Sequence, residues 1–134
     1  MKNNKLYVII EQFKNSDGAI HLSKELAKEL GAKKEISEDI EKNIFLFVAW
    51  NKTDRCFSII KVNKKFTETA YSYIVSYSNK TKSFGFTPNA PNVPQLFYKL
   101  NVEEDTEQIK LMAIPKKIKD KNGNETKIYN LIQI

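Results

Sequence analysis

The chain has 134 residues, 41% of them apolar and 28% charged, which is enough to bury a core without covalent staples and too apolar for wholesale disorder. Its longest apolar run, Ile44 to Trp50, is far short of a membrane span, and Lys2 and Lys5 are followed by only a brief apolar stretch before Glu11, too short for a secretory signal. The formal charge of +6 permits nucleic acid as a partner, while the single cysteine, Cys56, excludes an internal disulfide and agrees with a reducing, cytoplasmic location or a virion assembled there.

The first strand is read from Leu6 to Phe13, where Leu6, Val8 and Ile10 alternate with their neighbours. A polar turn, Lys14 to Gly18, leads into a short strand from Ala19 to Leu22. Ser23 suits a helix N-cap, because its hydroxyl accepts from an otherwise unpaired N–H of the first turn. Leu26, Ala27 and Leu30 then form one apolar stripe, and Gly31 supplies the left-handed stop after about two turns. Beyond a charged loop, Ile44 to Trp50 is apolar on both faces and reads as a central strand. Asn51 to Asp54 turns it back into Phe57 to Val62.

The second half repeats this order. Tyr71 to Tyr77 alternates as a strand, Asn79 to Lys82 is a turn, and Ser83 to Thr87 is a short strand. A second helix is expected from Pro94, with Leu96, Phe97 and Leu100 standing 70 residues after Leu26, Ala27 and Leu30, and Asn101 in the place of Gly31. Ile109 and Leu111 stand 65 residues after Ile44 and Leu46, and Asn122-Gly123 signals a final hairpin that ends in Ile128 to Ile134. The expected organisation is a single compact domain, 1–134, with pseudo-repeats at 5–62 and 71–134, each β-β-α-β-β. The fold class is mainly β with two short helices.

The stretch Gly18 to Ala32, GAIHLSKELAKELGA, resembles the core motif of the AbrB-like swapped-hairpin family. Gly18, Ile20, Leu22, Lys24, Glu25, Leu26, Leu30 and Gly31 match that motif in type. The tandem form, as in the MraZ proteins, joins two such units in a chain of similar length, and Pro88 falls near the motif proline of the second unit. Ala19 stands where the family has an arginine and Ser23 where it has a proline. The resemblance implies a small β-barrel of interlocked hairpins, an oligomer, and a DNA-binding, regulatory role. Contacts to DNA are then expected from Lys24, Lys28 and Lys33 together with Lys116, Lys117 and Lys119 of the basic turn Pro115 to Lys121.

Other chemistry finds little support. His21 and Cys56 are each the only residue of their kind, so no His/Cys zinc cluster exists, and the four glycines form no phosphate-cradling loop. Cys56 reads as a small buried hydrophobe. The acidic groups Glu35, Glu38, Asp39, Glu41 and Glu103, Glu104, Asp105, Glu107 read as solvated loop charge rather than cation ligands. No catalytic residues, metal or cofactor are expected, and the chain is read as non-enzymatic. Tyr71, Tyr73, Tyr77, Phe84 and Phe86 form an aromatic series beside Lys80 and Lys82, suited to base stacking, to the barrel core, or to an interface with another subunit. The alternative function is therefore a structural or protein-interaction component of a phage or mobile element. In that case lysine at an exposed hairpin tip serves solubility.

Overall fold

The computed structural model describes residues 5–12, 18–35, 44–62, 72–86, 106–119 and 121–133. The second helix expected from Pro94 lies outside them. The elements are β1 (Tyr7–Gln12), β2 (Gly18–Leu22), α1 (Lys24–Leu30), β3 (Phe45–Asn51), β4 (Cys56–Val62), β5 (Ser72–Ile74), β6 (Ser76–Ser78), β7 (Ser83–Phe86), β8 (Gln108–Lys119) and β9 (Glu125–Gln133). All the strands pair antiparallel in one sheet of order β5-β3-β4-β9-β8-β1-β2-β7-β6. Its two edge strands are consecutive in the chain, separated by Val75 alone. Segment 72–78 thus pairs with β3 through its first half and with β7 through its second. The Val75 N–H, donating to the Ile44 carbonyl at 2.9 Å, carries the ladder across the change of partner. The result is a small, mainly β barrel, as the sequence suggested, with the strand expected at Tyr71 to Tyr77 split in two.

Strict alternation fills the interior. Val8 and Ile10 from β1, Ile20 and Leu22 from β2, Leu46 from β3 and Ile59 from β4 point inward, as do Phe86, Leu111, Tyr129 and Leu131. The stripe Leu26, Ala27 and Leu30 of α1 packs into the same cluster, and full burial of Leu26 contributes about 2 kcal/mol. Ser23 starts the helix and ties it to β1. Its Oγ accepts from the N–H groups of Leu26 and Tyr7, each at 3.2 Å, and donates to the Lys5 carbonyl at 2.7 Å. Its own N–H donates to the Tyr7 carbonyl. Gly31, at φ +79°, ends the helix in the left-handed conformation that lacks a Cβ penalty.

The pairing scheme has an internal regularity. Exchange of β1, β2, β3 and β4 for β5/β6, β7, β8 and β9 maps β1–β2 onto β6–β7, β3–β4 onto β8–β9 and β1–β8 onto β3–β5. The β2–β7 and β4–β9 pairings map onto themselves. The β1–β8 and β3–β5 registers are related by the offset of 65 residues read from Leu46 and Leu111, whereas the hairpin registers are not. That offset converts the pair Ile10↔Ile109 into Val75 opposite Ile44, the residues joined by the hydrogen bond just described.

One expectation is corrected. Pro115 to Lys119 belongs to strand β8, not to a turn, and the reversal comes later, at 121–124. Register with β1 ends at Tyr7↔Met112, whereas register with β9 runs on to Lys119↔Glu125. Residues 114–119 and their partners 125–130 therefore continue past β1, and 117–119 with 125–127 also run beyond the last β4 pair as a two-stranded ribbon. Proline is tolerated there because its missing donor faces the side without a pairing strand. Among the described residues no helix is long and apolar enough to cross a membrane.

Candidate nucleic-acid interface

The basic residues sort by strand face and helix turn. In α1, Lys24 and Lys28 lie one turn apart and both are exposed, as is Lys33 just beyond the helix stop. In the ribbon, alternation separates Lys116 from Lys117 and Lys119. Lys117 and Lys119 continue the inward-facing series of Leu111 and Ala113, so they lie on the ribbon face that leads out of the barrel interior. Lys116 lies on the outer face.

Lys116 is a structural residue. Its ammonium contacts Asp54 Oδ2 at 2.7 Å, and the Asn130 side-chain N–H donates to the same oxygen at 2.7 Å. Ser58 Oγ donates to Asn130 Oδ1 at 2.6 Å, and the Asp54 N–H donates to Asn51 Oδ1. These bonds close the β3–β4 turn against β9. Lys116, followed by Asn130, holds the Asp54 carboxyl below the usual carboxylate range. Of the basic stretch read from the sequence, Lys116 thus stands apart from Lys117 and Lys119.

The inward ribbon face brings together lysines from three strands. Lys117 of β8 is directly opposite Lys127 of β9. Register between β4 and β9 reaches Ile60↔Ile128, so Lys61 occupies the next position, on the other side of Lys127. All three are exposed. They form a row across β4, β9 and β8 with neighbours about 5 Å apart at Cβ. Like charges placed directly opposite one another destabilise a sheet. Lys61 also approaches the C-terminal end of α1, its Nζ 3.7 Å from where a Cβ on Gly31 would stand, a position that the helix dipole favours for a cation.

Glu29 is the carboxylate bonded to the row among the described residues. Glu29 Oε1 accepts from Lys127 Nζ and from Tyr129 Oη, both at 3.0 Å, and Lys127 also lies over the Tyr129 ring. The Lys127 hydrogen bond, with help from Tyr129, lowers the Glu29 pKa. Reciprocally, Glu29 raises that of Lys127, while burial first and Glu29 second raise that of Tyr129. The signs bracket the contact. Its stabilisation is present above the ordinary carboxyl value of about 4.3 and is lost as pH falls through the lowered Glu29 value. It is also present below about pH 10 and lost as pH rises through the raised Tyr129 and Lys127 values. In Lys127→Met, the Glu29 carboxyl followed by NMR is expected to titrate at higher pH than in the parent; an unchanged titration would remove Lys127 as its partner.

The remaining candidates fall elsewhere. Phe86 is buried, Tyr73 stacks on it with ring centroids 5.5 Å apart, and Phe84 packs against the same core. Tyr77 meets Phe84 edge-on and has the Lys34 ammonium over its ring, 4.9 Å from the centroid. Of the described rings, Tyr73, Phe84 and Phe86 pack in or against the barrel interior; Tyr71 lies outside the described residues. Cys56 is buried, and burial followed by the Asp54 charge pushes its thiol pKa up. His21 Nε2 lies 3.1 Å from Glu11 Oε1 on the outer wall. No group of three His, Cys, Asp or Glu among the described residues is placed to hold a metal ion; Glu38, Asp39, Glu41, Glu103, Glu104 and Asp105 lie outside them. Nothing in the sequence marks Lys127 as part of the basic site, because the row is assembled by register between strands far apart in the chain. Comparison of the chain with protein-family models, curated proteins and solved structures finds no match.

Proposed function

We propose that the protein binds nucleic acid through its phosphate backbone, as a non-enzymatic, tandem swapped-hairpin protein of the AbrB or MraZ kind. The observation that carries this reading is the row Lys61, Lys127 and Lys117, three like charges set side by side at a cost to the sheet, with Glu29 bonded to the central one. A polyanion turns that cost into a gain by releasing its counterions. The ribbon beyond β1 adds Lys119, and a two-stranded ribbon is one of the elements that a DNA major groove admits. Exchange symmetry of the strand pairing supports the tandem reading and the pseudo-repeats 5–62 and 71–134. The departure at Ala19 moves the basic contacts from the motif strand to α1 and the ribbon.

The test is the salt dependence of duplex DNA binding. The triple variant Lys61→Gln, Lys117→Gln, Lys119→Gln is expected to flatten the slope of log affinity against log salt by about 2 to 3. Lys116→Gln, which breaks the Asp54 contact, is expected to leave the slope unchanged. An unaltered slope in the triple variant rules the row out as a phosphate site.

A second reading, packing against protein neighbours as a phage or mobile-element component, is favoured by Ile114, Ile118 and Ile132, which are exposed on the outer face of β8 and β9. A protein that forms large assemblies in solution and shows no salt-sensitive DNA binding would favour this reading over the first.

A further inference from the structure

We propose that a groove on the outer wall of the barrel receives one unpaired nucleotide of a single strand. The groove lies across β8, β1, β2 and β7, encloses about 340 Å³, and is distinct from the lysine row at the other end of α1. That volume is at the small end of ligand sites and fits one ring system with its phosphate better than a large cofactor. Its apolar surface comes from Tyr7 and Ile9 on β1. Lys110 Nζ sits 4.1 Å from the Tyr7 ring centroid, so a base that stacks on this face displaces a flexible ammonium from it.

The polar groups match a base edge and a phosphate. Thr81 Oγ1 and Ser83 Oγ are 2.8 Å apart and bonded to each other, and either is donor or acceptor. Gln108 adds an amide with both capacities. Ser23, although it lines the groove, is committed to Tyr7, Lys5 and Leu26 and takes no part. Lys24 lines the groove, Lys80 and Lys82 flank Thr81, and Lys110 overhangs Tyr7. Lys24 on the wall and Lys110 over Tyr7 thus place two cations at the groove, while its neighbour Glu11 is bonded to His21. This balance favours a phosphate.

A base within a duplex is stacked on both sides and does not reach such a recess; an unpaired one does. Lys24 and Lys28 lead along α1 from the groove toward the lysine row, a path on which successive phosphates of one strand can be held. The polymer part of this inference rests on the nucleic-acid reading above, whereas the groove is testable without it.

The probes are a twelve-residue thymidine oligonucleotide, a duplex of the same length, and thymidine monophosphate. Tyr7→Leu keeps an apolar strand residue but removes the ring. It is expected to weaken the single-stranded oligonucleotide at least tenfold with its salt slope unchanged, because stacking carries no counterions, and to leave duplex affinity as it was. Ser83→Ala, a small change at the rim, is expected to weaken it severalfold and decides the matter if Tyr7→Leu does not fold. Thymidine monophosphate is expected to shift the NMR signals of Tyr7, His21 and Ser83. If both variants bind the oligonucleotide like the parent and the monophosphate shifts none of these signals, the groove is overturned, even where salt-sensitive duplex binding upholds the lysine row. If the monophosphate shifts them while neither polymer binds, the groove stands and the polymer reading falls.

Discussion

Gly85→Ala is expected to lower the unfolding free energy by about 3 kcal/mol, through backbone overlap rather than lost flexibility. A Cβ at this position would stand 2.5 Å from the Ile20 carbonyl oxygen and 3.3 Å from His21 Cα, both main-chain atoms of β2. Neither can rotate away, so β7 must shift. It is joined to β2 by the register Ile20↔Phe86, His21↔Gly85 and Leu22↔Phe84, with Gly85 at its centre. Any shift therefore moves Phe84 and Phe86 in the core. The reduced freedom of the unfolded chain offsets only about 0.4 to 1 kcal/mol. Gly123→Ala is the natural comparator. Its φ of +82° is unfavourable but nothing lies near its Cβ, so about 1 kcal/mol is expected. Urea unfolding measures both, and a Gly85→Ala midpoint equal to the parent's would show that the β2–β7 seam yields freely.

Ser23→Ala should cost about 2 to 3 kcal/mol, more than an ordinary N-cap, because one hydroxyl serves three backbone groups. Its loss deprives the Leu26 and Tyr7 N–H groups and the Lys5 carbonyl of a partner at a buried position. Ser23→Pro separates the two roles of this residue. The φ of −62° accommodates the ring. Proline nevertheless removes the N–H that donates to the Tyr7 carbonyl, as well as the hydroxyl. Its stability is expected to be no higher than that of Ser23→Ala. A proline variant as stable as the parent would show that β1 does not depend on this junction.

Much of the architecture is written in local signals. The Ser23 cap, the apolar stripe and the Gly31 stop define α1 without reference to the rest of the chain, and the hairpins around residues 52–55 and 79–82 follow from polar turns between alternating runs. The break at Val75 has no such signal. Tyr73, Val75 and Tyr77 keep their alternation through it, and only the choice of partners, β3 before and β7 after, reveals it. The stretch Pro115 to Lys119 misleads for the opposite reason: both faces of a projecting ribbon meet solvent, so its composition is that of a turn. Of Lys61, Lys117 and Lys127, Lys117 belongs to the basic stretch legible in the sequence and Lys127 carries no such mark. Their adjacency is a property of strand register, as is that of Tyr7, Ser83 and Gln108 in the groove.

The change of partner at Val75 also bears on how the barrel forms. Each hairpin, β1–β2, β3–β4, β6–β7 and β8–β9, assembles from neighbouring residues, but the seams between hairpins join segments such as β1 and β8 that are distant in the chain. Chains whose contacts span such separations lose much loop entropy before the pairing compensates for it, and fold in milliseconds to seconds rather than microseconds. Segment 72–78 is required by two hairpins at once. Neither β3 nor β7 has its full set of neighbours until segment 72–78 is in place, so this one segment closes the ladder between two hairpins.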